Sequence, residues 1–307
     1  MYEVFRGVIP AAVMPFDASF EIDEHNFRRH LRHLAETDGV TAVAVNGDAG
    51  EVLSLSPEEQ AFAVRVAVDE IGDQVRVLCG VADPSAAAAV RTAAMAQDAG
   101  AHGLLVFPSL FFAHGARLRA DVVHAFYGEI ASSTDLPMVL FVDAATSAKN
   151  VPAPLLAELC LANENITGIK DWSVDILAYE ANLRAVRSLD RPVSMLTSFS
   201  RALLPTLALG ADGILSGHGS LIADVQVELF REVESGNLKA ARDTADRIYE
   251  LTQVFYAAPV IDQFNRMKEG LKVLGRIDEA YSRPPVLPVS PAERSLIHDA
   301  VRAAGLS

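Results

Sequence analysis

Eight short apolar runs, each followed by a longer stretch with helical punctuation, set the strongest limit on what this chain can fold into. The runs are VIPAAVMPF (8–16), VTAVAVNG (40–47), VRVLCGV (75–81), GLLVFP (103–108), PMVLFVD (137–143), ITGIKDW (166–172), PVSMLTSF (192–199) and GILSG (213–217). Most are β-branched and nearly free of charge, so they read as strands buried on both faces, the signature of a parallel sheet. Between them lie segments such as SPEEQAFAVRVAVDEIG (56–72), with Ser56 as N-cap, Pro57 at the first helical position, Glu59 three residues after the cap and Gly72 at the stop. PSAAAAVRTAAMAQDAG (84–100) and RALLPTLALG (201–210) follow the same plan. Strands alternating with helices imply right-handed βαβ units, and eight such units predict a closed (β/α)8 TIM barrel. An open doubly wound sheet is the alternative, but no G-x-G-x-x-G follows the first strand and no G-x-x-x-x-G-K-[ST] occurs anywhere.

Past residue 236 the pattern becomes helical only: GNLKAARDTADRIYELTQVFYAAP, VIDQFNRMKEGLKVLG and, after a proline-rich turn, SPAERSLIHDAVRAAGL. This predicts a barrel over 1–235 that carries the active site and a C-terminal three-helix appendage over 236–307. The total of 307 residues suits one large barrel with an extension.

Forty acidic against 26 basic residues give a net charge of −14, which repels nucleic acid and anionic membrane surfaces. The two cysteines, Cys79 and Cys160, fall inside predicted buried elements and rule out a disulfide framework. No run approaches the length of a membrane helix, and MYEVFRGVIP lacks the layout of an export signal, so a cytoplasmic protein is expected. Metal-ligand spacings are missing as well: His218 and scattered aspartates do not form the cluster that a metal-dependent barrel hydrolase needs.

In a barrel of this kind chemistry gathers at the C-terminal strand ends. Strand two ends in NGDAGE (46–51), strand four in FPSLFF (107–112), strand five in FVDAAT (141–146), strand six in KDW (170–172) and strand eight in SGHGS (216–220). Alternation along strand six puts Lys170 and Trp172 on one side and Ile169 and Asp171 on the other, so the lysine can face the barrel mouth. A lysine at a strand end more often snorkels to water. Held inside, its amine loses preference for the charged form and becomes a nucleophile for ketones, which points to Schiff-base chemistry.

Several separated motifs then resemble one family. VNGDAGEVLSLSPEEQ is similar to the G-T-T-G-E…L-s-x-x-E segment of the dihydrodipicolinate synthase and N-acetylneuraminate lyase family. NITGIKDWSVD resembles its n-i-x-G-i-K-D/E-s-x-x-D, and PAAVMPFDASFEID, AQDAGAHGLLVFP and DLPMVLFVDA add support, in consistent order over about residues 6 to 275. The resemblance implies a class I aldolase-type barrel, usually tetrameric, that forms an imine between Lys170 and pyruvate or another 2-oxo acid without a cofactor.

The same comparison exposes departures. The family's threonine pair, which offers backbone N–H groups and hydroxyls, matches Asp48 and Ala49; the proton-relaying tyrosine of strand five matches Phe141; P-Y-Y matches Pro108, Ser109 and Leu110; and the aldehyde-holding arginine of dihydrodipicolinate synthases matches Thr146. True dihydrodipicolinate synthesis is therefore disfavoured. Asp48, Asp143 and His218 are the expected proton carriers, with His218 titrating near neutrality; for each, a turn, cap or solvated role is the competing reading. Asp48, Ala49, Phe141, Leu110 and Ser216 are expected to line the substrate site, with Phe111, Phe112 and Trp172 shaping a pocket or interface. Glu51 is expected to tie its loop. The leading expectation is a 2-oxo-acid lyase in a homotetramer or dimer, the competing one a silent binding or regulatory homologue that kept the barrel and the lysine.

Overall fold

The computed structural model describes residues 2 and 4–306. Eight strands alternate with helices: β1 (Gly7–Pro10), α1 (Glu24–Glu36), β2 (Ala42–Val45), α2 (Pro57–Ile71), β3 (Arg76–Val81), α3 (Ala86–Asp98), β4 (Gly103–Val106), α4 (Ala120–Ser132), β5 (Met138–Val142), α5 (Ala153–Ala162), β6 (Ile166–Asp171), α6 (Ile176–Arg187), β7 (Ser194–Thr197), α7 (Leu203–Ala208), β8 (Gly213–Ser216) and α8 (Gly219–Glu234). The sheet order is β1-β8-β7-β6-β5-β4-β3-β2, all parallel. Parallel bridges from Val8 to Val40 and from Ala11 to Ala44 bring its two edges together, giving the expected (β/α)8 barrel.

All eight predicted strands form, but each is shorter than its apolar run. The first ends at Pro10, which donates no ladder hydrogen bond; Ala11 N and Ala12 N still donate to Ser216 O and Ala44 O, and the rest of the run to Phe16 stays buried. Helix punctuation works as read: Ser56 Oγ accepts from Glu59 N while Ser56 N donates to Glu59 Oε2, a complete capping box on α2. The stretch 201–210 is helical only over α7, preceded by a 3-10 turn at Ser200–Ala202.

The core has two layers. Outward-facing strand residues such as Val43, Val77, Leu104 and Ile169 pack against the surrounding helices. Inward-facing ones, among them Ile9, Ala44, Leu78, Leu105, Val139, Leu196 and Leu215, fill the barrel.

After α8, which packs on β1 and β8, the chain turns at Gly236 (φ +75°). Four helices follow rather than three: α9 (Leu238–Arg247), α10 (Tyr249–Phe255), α11 (Gln263–Val273) and α12 (Pro291–Ala303). The predicted first helix breaks at Ile248 (φ −100°, ψ +3°) because its halves pack on different neighbours, α9 on α8 and α10 on α12. Leu251, Phe255, Met267, Leu271, Ile297 and Val301 join the same apolar cluster as the barrel's inward residues. The C-terminal helices thus continue the barrel interior and bring their own side chains to its mouth. Among the described residues, no helix is long and apolar enough to cross a membrane.

Candidate active site

Lys170 lies one residue from the end of β6, paired in register with Phe141 of β5 and Leu196 of β7. Pleat alternation sends its neighbours outward, Ile169 into the outer core and Asp171 to a 2.7 Å hydrogen bond from Asn182 of α6. The Lys170 side chain points into the barrel mouth and is buried. Its Nζ lies 4.8 Å from the centre of the Phe141 ring and 5.9 Å from that of Phe107. Among the described residues it has no ion-pair partner. Burial pushes its pKa from the ordinary lysine value down to about 8, against an opposing pull from the charge of Asp48.

Facing the amine is the loop after β2. Gly47, Asp48, Ala49 and Gly50 turn tightly, with Gly50 N donating to Gly47 O and Glu51 N to Asp48 O, each at 3.0 Å. The N–H groups of Asp48 and Ala49 donate to no acceptor among the described residues, which leaves two backbone donors on residues that share the cleft of Lys170. Beneath the loop, β3 approaches so closely that a Cβ on Gly80 would stand 1.8 Å from the Asn46 carbonyl oxygen. Only glycine permits that approach.

Glu51, in the left-handed region at φ +52°, ties the loop as expected. Its carboxylate pairs with the buried ammonium of Lys268 on α11 and accepts a 3.1 Å bond from Arg283 N. Lys268 also donates to Tyr281 O at 2.8 Å, and Arg283 binds Glu59 and the Ser54 carbonyl. Both cations stand over the Phe16 ring, at 4.5 and 4.6 Å.

The cleft over Lys170 is walled by Ala11, Asp48, Ala49, Phe141 and Trp172, with Ser198 and Gly217 directly after β7 and β8 and Tyr256, Gln263 and Phe264 from the C-terminal helical region. It leaves about 30 Å3 free. Asp48, Gln263 and Phe264 also border a second, mostly apolar chamber of about 370 Å3, completed by Leu53, Ile261, Arg283 and Pro285 among others. Asp48 is open to the water of the cleft yet surrounded by protein mass. Desolvation therefore raises its carboxyl pKa, less than full enclosure would, while Lys170 and Lys149 pull it back.

Of the residues singled out by sequence, Lys170, Asp48, Ala49, Phe141 and Trp172 meet in this cleft. Asp143 does not border it: Oδ1 accepts from Ala144 N at 2.8 Å, while Oδ2 takes bonds of 2.9 Å from Ser147 Oγ and from Lys149 Nζ. His218, expected to titrate near neutrality, does not. It is fully buried edge-on to Phe255 and Tyr256, and burial drives its pKa down to about 3. Ser216 Oγ is likewise internal, accepting from Gln226 Nε2 at 2.9 Å, and the neighbouring Gly217 takes its place on the cleft wall.

Leu110 lies outside the cleft of the single chain, 55% exposed beside the still more exposed Phe111. Phe112 is core, packed edge-on against Phe126 and Tyr127. Sequence reasoning missed Ala11, Ser198, Tyr256, Gln263 and Phe264. The last three belong to helices whose docking over the mouth leaves no local signature; the tyrosine in FYAAP, at a predicted helix end, was the one available cue. Among the described residues, no group of three or more His, Cys, Asp or Glu is placed together as a metal site requires.

The sequence model of the Dihydrodipicolinate synthetase family matches residues 4–304. An uncharacterized DapA-like lyase of Thermofilum pendens is 26% identical over 302 residues, covering 98% of both chains. A probable 2-dehydro-3-deoxy-D-pentonate aldolase, YjhH, of Escherichia coli is 26% identical over 306 residues, again covering 98% of both. Among solved structures, YagE of E. coli K12, a prophage protein crystallised with pyruvate, superposes with a TM-score of 0.91 at 24% identity, covering 99% of this chain and all of that one.

Proposed function

The chain belongs to the dihydrodipicolinate synthetase family, and on that premise we propose that it is a lyase that cleaves or dehydrates a 2-oxo acid through an imine on Lys170. One observation carries this reading: a buried lysine amine near the end of β6, with no ion-pair partner among the described residues and depressed to about 8, shares its cleft with Asp48 and Ala49, whose backbone N–H groups donate to no acceptor among those residues. A ketone carbon placed at the amine and a carboxylate placed at the amides describe a 2-oxo acid. The names of relatives support it, as does the pyruvate bound to a structurally similar barrel.

In this reading Lys170 Nζ is the nucleophile, and the Asp48 and Ala49 amides hold the carboxylate. Once formed, the iminium takes the carbon 3–carbon 4 bonding pair into an enamine as the carbon 4 hydroxyl gives its proton to the Asp48 carboxylate and becomes a carbonyl; in a dehydration that carboxylate takes the carbon 3 proton instead and returns it as the carbon 4 hydroxyl leaves as water. Asp48, the carboxylate electrostatically coupled to Lys170, stores and returns the proton that frees the amine. The narrow space over Lys170 suits the pyruvate portion, while the adjoining apolar chamber suits a distal group less polar than a sugar acid. Thr146 stands where an aldehyde-binding arginine would be, so dihydrodipicolinate synthesis is not the proposed reaction.

The exposed apolar group formed by Leu110, Phe111 and Leu118 supports a homodimer or homotetramer. The protein is proposed to act in the cytoplasm. Borohydride reduction with pyruvate, followed by peptide mass spectrometry, should label Lys170; its absence with pyruvate and with longer 2-oxo acids defeats the mechanism. Retro-aldol and dehydration assays over a panel of 2-oxo acids, with Lys170→Ala as control, then define the substrate. Labelling without turnover on any of them would point to a binding homologue.

A further inference from the structure

Imine formation moves protons between nitrogen and oxygen more than once, yet the two rings nearest the amine, Phe141 and Phe107, have no exchangeable proton. Besides Lys170 itself, the cleft walls offer Asp48, Ser198 and Tyr256 as groups able to pass a proton to oxygen. An aliphatic hydroxyl such as that of Ser198 is a poor acid, which leaves the carboxyl and the phenol. Of the chain's six tyrosines, Tyr256 alone borders the cleft. It follows α10 directly and is buried, its ring edge-on to His218 at 5.9 Å and its Oη 2.9 Å from Ser200 Oγ.

Resting on the imine reading above, we propose that Tyr256 is the proton shuttle of the imine step, a catalytic residue supplied by the C-terminal helical region rather than by a strand end. Asp48 first takes a proton from the Lys170 ammonium. The amine lone pair then attacks carbon 2, and the carbonyl π pair moves onto oxygen. Tyr256 gives that oxygen its phenolic proton and takes one from the nitrogen, so a neutral carbinolamine forms and the phenol is restored. Asp48 returns its stored proton to the new hydroxyl as the C–O bond breaks, the nitrogen lone pair completes C=N, and water leaves. Burial raises the phenol pKa to about 12 against the pull of Ser200 and the His218 main chain, so the donor form persists at neutral pH.

The test is timed borohydride trapping after rapid mixing with pyruvate. Tyr256→Phe should slow the appearance of reduced Lys170 adduct about 100-fold or more, while the extent reached at long times stays close to that of the unsubstituted chain. Adduct formation by Tyr256→Phe at the unsubstituted rate overturns the proposal. If the variant does not fold, 3-fluorotyrosine at position 256 keeps the shape and makes the phenol more acidic; an unchanged trapping rate then overturns it equally. An unsubstituted chain in which Lys170 is never labelled defeats the imine reading itself, a result distinct from a labelled chain indifferent to position 256.

Discussion

The Lys170 ammonium and the Phe141 ring face each other at 4.8 Å, and that ring is stacked at 4.8 Å on Phe107. A cation over an aromatic face gains about 0.5–2 kcal/mol. This is less than burial removes, because the amine is still displaced down to about 8. The aromatic pair therefore makes a dry seat for an amine that spends part of its time neutral. It also leaves that amine without a hydroxyl neighbour on β5.

Phe141→Tyr should restore such a neighbour. In a Tyr256→Phe background it is expected to recover at least about 10-fold of the lost trapping rate, within the range that one positioned proton carrier supplies. Position 141 is buried, so a new hydroxyl left without a partner should cost about 1–3 kcal/mol. Timed trapping of the double variant and its thermal midpoint check both halves; no recovery would place the Phe141 ring edge out of reach of the reacting oxygen.

Lys170 gives a signed pH dependence. Its pKa is about 8 folded against 10.5 in the unfolded chain, so between those values the unfolded state binds more protons and stability rises with pH. Below pH 8 the penalty of the buried charge is fully present, roughly 3 kcal/mol from the size of the shift. Lys170→Met should therefore raise the thermal midpoint at pH 7, and the gain should shrink as pH approaches 10.5. Initial trapping rates of the unsubstituted chain should climb through a midpoint near 8. They should show no separate histidine step between pH 6 and 7, since His218 remains neutral there.

The two aspartates near the mouth should separate cleanly. Asp48→Asn keeps the backbone donors and removes the carboxyl that borders Lys170, so turnover should fall about 100-fold to 10,000-fold. Asp143→Asn loses the ion pair to Lys149 and weakens the Ser147 bond, so it should lower stability by about 1–3 kcal/mol and slow turnover far less. Removing the Asp143 charge also relieves part of the upward push on Asp48. Paired kinetics and melts of the two variants decide the matter, and an equal loss of turnover would return Asp143 to the proton path.

The barrel was legible because burial on both faces writes itself into each strand as an uninterrupted apolar run, and the caps at Ser56 and Gly72 mark where a helix begins and ends. Lys170 was legible for a related reason: a charge on such a run must either escape or serve. The groups proposed to carry protons were harder. Asp143 and Asp48 look alike as residues after a strand, yet Ser147 and Lys149 engage one while the other opens on the cleft, and those partners are fixed by loop paths. His218 sits one residue past Gly217 on the cleft wall, but it turns inward behind Tyr256. Tyr256 itself reaches the mouth through packing of α10 against α12, a contact that no local pattern announces.

The loop of Asp48 and Ala49 is held from behind by a buried ion pair. Lys268 is fully enclosed, and its partner Glu51 is nearly so. Glu51→Gln strands a buried ammonium without its counter-charge, leaving it neutral acceptors such as the Tyr281 carbonyl and the Ser282 hydroxyl, so it should cost about 3–5 kcal/mol. Adding Lys268→Met should recover much of that loss, because the double variant removes both charges rather than orphaning one. Burial already brings Lys268 down to about 8 while Glu51 pulls it up, so without Glu51 the lysine must fall further. The Glu51→Gln deficit should accordingly be deepest at acidic and neutral pH and narrow as the lysine deprotonates, since the unfolded chain then binds more protons than the folded one. Thermal midpoints between pH 6 and 10 read this directly. A rise in KM for the 2-oxo acid in the same variant would show that the pair keeps the Asp48 and Ala49 amides aimed at the carboxylate, whereas an unchanged KM would confine Glu51 to stability.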